Sequence, residues 1–64
     1  MMVLLNSATG LAVNVREIST MVIERMPFMR LVISMKSGFE LQIRNCHAEG
    51  VDVIKLHKQL LESK

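Results

Sequence analysis

The chain has 64 residues, of which 50% are hydrophobic and 22% are charged. It is too apolar for a disordered segment and too short for a multidomain enzyme, so we expect a single domain spanning residues 1–64. Lys and Arg outnumber Asp and Glu by eight to six, and the resulting net charge of +2 is low for a dedicated nucleic-acid-binding domain.

Residues 1–15 carry no charged side chain and no basic segment at their start, and they are shorter than the ~20 apolar residues that span a bilayer. We therefore expect neither a signal peptide nor a membrane interaction. The only cysteine, Cys46, cannot form an internal disulfide and suits a reducing compartment, which predicts a cytoplasmic protein. Domains this small are often stabilised by a partner chain, so we expect a homodimer.

The first predicted hairpin joins two short strands through the turn-forming residues 6–10. Apolar residues alternate on both sides of this turn, which is the period of a half-buried strand. We expect Val3 and Leu5 to face the core, and a five-residue loop ending in Gly10 to set Leu5 opposite Leu11.

Residues 15–26 are compatible with two structures. Apolar residues fall at helical spacing, and Asn14 with Glu17 matches a capping box. The same segment is rich in β-branched residues, which favour a strand. We prefer a strand over residues 19–25, and Pro27 ends the segment under either interpretation.

The second predicted hairpin pairs residues 30–36 with residues 39–44. Both segments alternate apolar and polar side chains, and a three-residue loop places Gly38 where a left-handed conformation is required. Because residues opposite each other share a face, this loop length matches apolar residues with apolar residues. The expected core-facing pairs are Leu31–Ile43, Ile33–Leu41 and Met35–Phe39.

The C-terminal segment predicts an amphipathic helix that begins between Ala48 and Asp52. Its expected apolar face consists of Val53, Ile54, His57, Leu60 and Leu61. The predicted fold is therefore α+β: a small, bent antiparallel sheet of about five short strands, forming a partly open barrel, packed by one C-terminal helix.

Large apolar residues surround the proline between the third and fourth predicted strands, where a loop normally lies at the surface. Met26, Pro27, Phe28 and Met29 either fold over the open end of their own core or contact a protein partner. Val32, on the outer face of the predicted sheet, adds to the second interpretation. We take these residues as the candidate partner-binding site.

A basic face offers an alternative, nucleic-acid-binding function. In the expected register Arg30 lies opposite Arg44 on the outer face of the sheet, with Lys36 in the turn and Arg16 nearby. Such a face can follow a phosphate backbone. It can equally be a solvated surface that Glu24 and Glu40 neutralise.

Catalytic, metal and cofactor sites are not predicted. Cys46 and His47 are adjacent in sequence and lack a third, orienting residue, while His57 lies on the apolar face of the helix. The spacing of these residues does not match a zinc site, and no phosphate-binding glycine loop is present. We therefore expect a non-enzymatic interaction module or regulator and, from its length alone, one encoded by a bacterium or a phage.

The order of these segments resembles the small FlbD-type flagellar proteins. The matching pieces, spread over most of the chain, are Leu5-Asn6, Val13-Asn14, Ile18, Pro27, Ile33, Ser37-Gly38, Leu41, Ile43 and Val53-Ile54. The segments 26–29 and 45–47 depart from the pattern. The resemblance implies an accessory or regulatory role and assigns no functional residue.

Overall fold

The computed structural model describes residues 1–63 of the chain. Five strands precede one α-helix: β1 (Met2–Asn6), β2 (Leu11–Asn14), β3 (Ile18–Glu24), β4 (Arg30–Met35), β5 (Glu40–Arg44) and α1 (Val53–Glu62). Short 3-10 helices, Val15–Glu17 and His47–Glu49, precede β3 and α1. The predicted α+β class, with antiparallel strands followed by a C-terminal helix, is confirmed.

The strands form two antiparallel sheets, β1-β2 and β3-β4-β5, and do not close into a barrel. The 3-10 helix Val15–Glu17 separates the sheets along the chain. Its cap is Asn14, whose Oδ1 accepts the backbone N–H of Arg16 at 3.1 Å. This cap ends β2 after four residues, so β2 does not continue into a third strand of the same sheet.

The first hairpin has a different register from the predicted one. Asn6, not Leu5, lies opposite Leu11, because a bulge falls between Leu4 and Asn6. Asn6 closes the turn with its backbone carbonyl, which accepts the N–H of Gly10 at 2.8 Å. Leu5 is therefore displaced from the pairing, yet it still faces the core and is 3% exposed.

The segment that was compatible with two structures is a strand, Ile18–Glu24, and the helical interpretation is wrong. It pairs with β4 along its length, with Met21 opposite Ile33 and Val22 opposite Val32. Because the order of this sheet is β3-β4-β5, the other side of β3 is a sheet edge.

The second hairpin has the predicted register, but the expected core-facing position of Phe39 is wrong, because this residue precedes β5 and its side chain is 61% exposed. Leu31 lies opposite Ile43 and Ile33 opposite Leu41. The backbone N–H of Met35 donates to the carbonyl of Phe39 at 2.7 Å. Gly38 has a φ of 95°, which is the left-handed conformation that the three-residue turn requires.

Helix α1 packs on the core through Val53, Leu56 and Leu60. The expected burial of Ile54 and Leu61 is wrong, since these side chains are 44% and 52% exposed. The side of the helix that carries Leu56 faces the core, which places Ile54 and Leu61 at the boundary with solvent. Within residues 1–63, no helix combines the length and apolar character needed to cross a membrane.

The core lies between the two sheets and the helix. Its fully buried side chains are Leu31 and Ile33 from the middle strand β4, and Val53 and Leu60 from α1. Since strand residues alternate between faces, the burial of Leu31 and Ile33 directs Arg30 and Val32 to the opposite, outer face of the sheet.

Candidate interaction site

The outer face of the three-stranded sheet carries a row of charged residues at one end. Glu24 of β3, Arg30 of β4 and Arg44 of β5 occupy directly opposite positions on the three strands. Two residues further along each strand, the same face carries a second row, which consists of Val22, Val32 and Gln42. Polar and apolar groups thus lie side by side on this face.

The loop between β3 and β4 brings an aromatic ring onto this charged row. The Cζ atom of Arg44 lies 4.0 Å from the ring centroid of Phe28, and that of Arg30 lies at 5.5 Å. Both distances are within the range of cation–π attraction. We call the set Glu24, Phe28, Arg30, Gln42 and Arg44 the Phe28–Arg44 surface.

The two arginines differ in their ionic partners. Arg30 donates to Glu24 Oε1 through its Nε at 2.7 Å and also through an Nη atom, which makes a charge-assisted ion pair. Among residues 1–63, Arg44 has no carboxylate oxygen within the 4.0 Å limit of a salt bridge. Arg44 is exposed to solvent, and its guanidinium lies against the Phe28 ring.

A shallow cleft of about 190 Å³ opens between Phe28, Arg30, Gln42 and Arg44. The side chain of Gln42 is positioned by a hydrogen bond, in which its amide nitrogen donates to Glu40 Oε1 at 3.0 Å. The cleft presents guanidinium N–H donors next to an aromatic ring. Such a surface can accept a carboxylate or phosphate oxygen and, beside it, an apolar group.

The predicted partner-binding residues separate into exposed and packed members. Met26 is 81% exposed and Phe28 is 38% exposed, and they are joined by Pro27 through a cis peptide bond at Met26-Pro27. Met29 is half-buried and packs against the core. Val32 lies on the outer face but is only 9% exposed, because it occupies the middle strand and is covered by its neighbours.

The predicted basic residues fall into two groups. Arg30 is the first residue of β4, whereas Lys36 directly follows its last residue, so they lie at opposite ends of the strand. At ~3.3 Å per residue, their backbones are roughly 20 Å apart. Arg16, in the 3-10 helix after β2, lines the same cleft as Lys36. The structure brings Arg30 and Arg44 together and leaves Arg16 and Lys36 elsewhere.

Cys46, His47 and His57 occupy separate environments. Cys46 is a half-buried free thiol whose backbone pairs with that of Val51. His47 is exposed in its 3-10 helix, and His57 is half-buried on α1. Within the part of the chain that the structure describes, no three His, Cys, Asp or Glu side chains cluster in a way that could hold a metal ion.

Sequence reasoning placed Phe28 and Arg44 in two different hypotheses and missed that they stack on each other. It also missed Gln42, although the alternation of Glu40, Gln42 and Arg44 put all three on the outer face.

Comparison with protein-family models, curated proteins and solved structures finds no match to this chain. The resemblance to the FlbD-type proteins therefore stays a prediction.

Proposed function

We propose that the protein is a non-enzymatic interaction module that binds a protein partner through the Phe28–Arg44 surface. The observation that supports this is the exposed Phe28 ring stacked 4.0 Å from the Arg44 guanidinium, which has no carboxylate partner among residues 1–63. Aromatic residues, Met and Arg are enriched in protein interfaces, and they supply much of the binding energy there.

The chemistry of the surface favours a partner that presents a carboxylate next to an apolar side chain. The carboxylate accepts hydrogen bonds from the N–H groups of Arg44, whose Cζ lies 4.0 Å from the Phe28 ring centroid. The apolar side chain contacts Phe28 and the neighbouring Met26, which is 81% exposed. A flexible methionine can adapt to the shape of such a group.

Nucleic-acid binding is the second candidate. It is supported by the juxtaposition of Arg30 and Arg44 with an aromatic ring, since phosphates bind guanidinium groups and bases stack on aromatic rings. The separation of Arg16 and Lys36 from this pair disfavours one continuous basic track. Binding that weakens steeply with added salt would favour this candidate over the protein partner.

We further propose that the module is a cytoplasmic homodimer with a regulatory role. The free edge of β3 supports self-association, because this strand of seven residues carries only one charged side chain, Glu24, at its end. Long edge strands with few charges are the ones that pair with another chain. The free thiol of Cys46 is consistent with a reducing compartment.

The partner hypothesis is tested by affinity capture from a bacterial lysate, with and without nuclease treatment, and the eluates are quantified by mass spectrometry. Three baits are compared: the unmodified chain, Phe28→Ala and Phe39→Ala. Phe39 is a matched control, because it is also exposed but precedes β5 at the end remote from Arg44. We expect a protein captured in equal amounts by the first and third baits and largely lost with Phe28→Ala.

The same baits distinguish the other outcomes. If every specifically captured species disappears on nuclease treatment, the protein-partner proposal is wrong and the nucleic-acid candidate replaces it. If the protein captured by the unmodified chain is retained equally by Phe28→Ala, the Phe28–Arg44 surface is not the binding site.

A further inference from the structure

The two edges of the three-stranded sheet differ in their charge. One edge is β5, whose five residues include the charged side chains Glu40 and Arg44. The other edge is β3, which has seven residues and one charged side chain, Glu24, at its end. Charges on an edge strand hinder pairing with another chain, whereas a long edge that lacks them is prone to it. Of the two edges, β3 is therefore the one suited to pair with a further strand.

The direction of the backbone groups along β3 follows from the hydrogen bonds of the sheet. The N–H of Met35 donates to the carbonyl of Phe39, so the odd-numbered residues of β4 bond to β5 and the even-numbered ones to β3. Val22 lies opposite an even-numbered residue of β4 and therefore bonds to β4. Its neighbours Met21 and Ile23 direct their N–H and C=O groups to the free edge. Within the described part of the chain, no backbone hydrogen bond from a loop or turn reaches these groups.

One side of α1 adds apolar surface next to this edge. The first hairpin lies on the β5 side of the sheet, where residues that flank its turn and residues of β5 line a common cleft. The helix contacts β3 and β4, and the side that carries Lys55 and Gln59 lines a cleft with Leu4 of β1. Its opposite side, with the partly exposed Ile54 and Leu61, therefore lies beside the free edge of β3.

The free edge of β3 is complementary to a second copy of itself. Two copies related by a twofold axis pair antiparallel, and residues opposite each other share a face. An axis at Val22 sets this side chain, which is 51% exposed on the outer face, opposite its own copy. The same axis sets Met21 opposite Ile23 on the inner face, and these residues exchange both backbone hydrogen bonds. Glu24 lies opposite Thr20, so no like charges meet.

Other registers with the correct hydrogen-bond direction match the side chains less well. An axis at Met21 sets the apolar Ile23 opposite Ser19 of the second copy. An axis at Ile23 sets the apolar Val22 opposite Glu24. Since apolar pairs at opposite positions stabilise a sheet, the axis at Val22 is the register that the sequence of β3 favours.

We propose that the protein self-associates by antiparallel pairing of β3 with β3 of a second copy, about a twofold axis at Val22. The two three-stranded sheets then form one continuous sheet, and Ile54 and Leu61 of each copy cover the junction on the side of the helices. This inference rests on the homodimer proposed above and names the surface that forms it.

Sedimentation equilibrium of the full chain and two variants tests the association. We expect the unmodified chain to have twice its monomer mass of 7.3 kDa. Val22→Lys sets two ammonium groups opposite each other at the axis and removes an apolar contact, so it should raise the dimer dissociation constant at least about tenfold. Leu4→Lys is the matched control, because Leu4 is a strand residue of the other sheet with 52% exposure, and it should remain dimeric. Circular dichroism should show all forms folded.

Disulfide trapping tests the register without introducing a charge. In a Cys46→Ser background, Val22→Cys sets two thiols at a pair without backbone hydrogen bonds, whose Cα atoms lie about 4.5 Å apart, within the range of a disulfide. Thr20→Cys is the control, because it lies on the same face of the same strand, yet its two copies are roughly 13 Å apart along the strands. Mild oxidation should convert most of Val22→Cys, and little of Thr20→Cys, into a covalent dimer.

Three results would overturn the proposal. A monomer mass at every concentration would overturn the homodimer and the β3 junction together. A dimer of unchanged affinity in Val22→Lys would leave the homodimer in place and exclude β3 as its surface. Cross-linking of Thr20→Cys that equals or exceeds that of Val22→Cys would exclude the axis at Val22.

Discussion

Arg30 and Arg44 lie directly opposite each other on neighbouring strands, and both guanidinium groups lie over the ring of Phe28. Like charges at opposite positions on a sheet repel each other. Here Glu24 binds Arg30, while the electron-rich face of Phe28 lies against Arg44. The loop between β3 and β4 thus compensates a charge repulsion that the register of the hairpin creates.

A double-mutant cycle measures this compensation. We expect Phe28→Ala and Arg44→Gln to be coupled by about 0.5–1 kcal/mol of unfolding free energy, the range of a cation–π pair at an exposed site. Urea denaturation of the two single variants and the double variant gives the coupling. Phe39→Ala with Arg44→Gln serves as the control and should be additive, and equal coupling in both cycles would contradict a specific stacking interaction.

Two adjacent leucines of α1 should respond very differently to truncation. Leu60 is fully buried, so Leu60→Ala should lower the unfolding free energy by about 2–5 kcal/mol. Leu61 is 52% exposed, so Leu61→Ala should change it by less than about 0.5 kcal/mol. Thermal melts of the two variants check the orientation of the helix. Comparable losses would mean that α1 is rotated from its described position.

A β-branched residue at position 38 should destabilise the second hairpin. Its φ of 95° is left-handed, and a Cβ built there meets no atom within 4 Å, so the cost of a substitution lies in the backbone alone. Gly38→Val should lower the unfolding free energy by about 1–2 kcal/mol, and Gly38→Asn by less, because Asn adopts this region more readily. Equal melting temperatures for Gly38→Val and the unmodified chain would disprove the turn.

The start of α1 depends on Asp52. Its Oδ1 accepts the backbone N–H groups of Ile54 at 3.1 Å and Lys55 at 3.2 Å. Asp52→Ala should cost about 1 kcal/mol of unfolding free energy, whereas Asp52→Asn keeps the accepting oxygen and should cost a smaller amount. Chemical denaturation of both variants tests this order, and a larger loss for Asp52→Asn would contradict it.

The second hairpin was predictable because two independent signals agree there. Alternation of apolar residues and the loop length set by Gly38 are satisfied by only one register. Alternation alone wrongly placed Phe39 in the core, because this residue precedes the strand and is exposed. The first hairpin lacks this redundancy. Its turn contains several polar residues, and periodicity does not reveal the hydrogen bonds that Asn6 accepts from Ala8, Thr9 and Gly10 next to the bulge at Leu5.

The orientation of α1 was only partly predictable for a related reason. Apolar residues occupy Val53, Ile54, Leu56, Leu60 and Leu61, which form a stripe wider than the core can cover. Which edge of the stripe is buried depends on how the helix packs on β3 and β4. Likewise, periodicity placed Arg30 and Arg44 on the outer face, but it does not predict the conformation of the loop that carries Phe28. The contact of Phe28 with the two arginines was therefore not predicted.

The segment between β5 and α1 connects the unfolding of the helix to that of the second hairpin. Asn45 Oδ1 accepts the N–H of Val53 at 3.1 Å, and Cys46 and Val51 exchange backbone hydrogen bonds of 2.9 and 2.8 Å. A helix of ten residues is marginal in isolation. Because its first turn is anchored to the end of β5, the helix and the second hairpin should unfold together, as one cooperative unit, whose amides exchange with solvent at a common free energy.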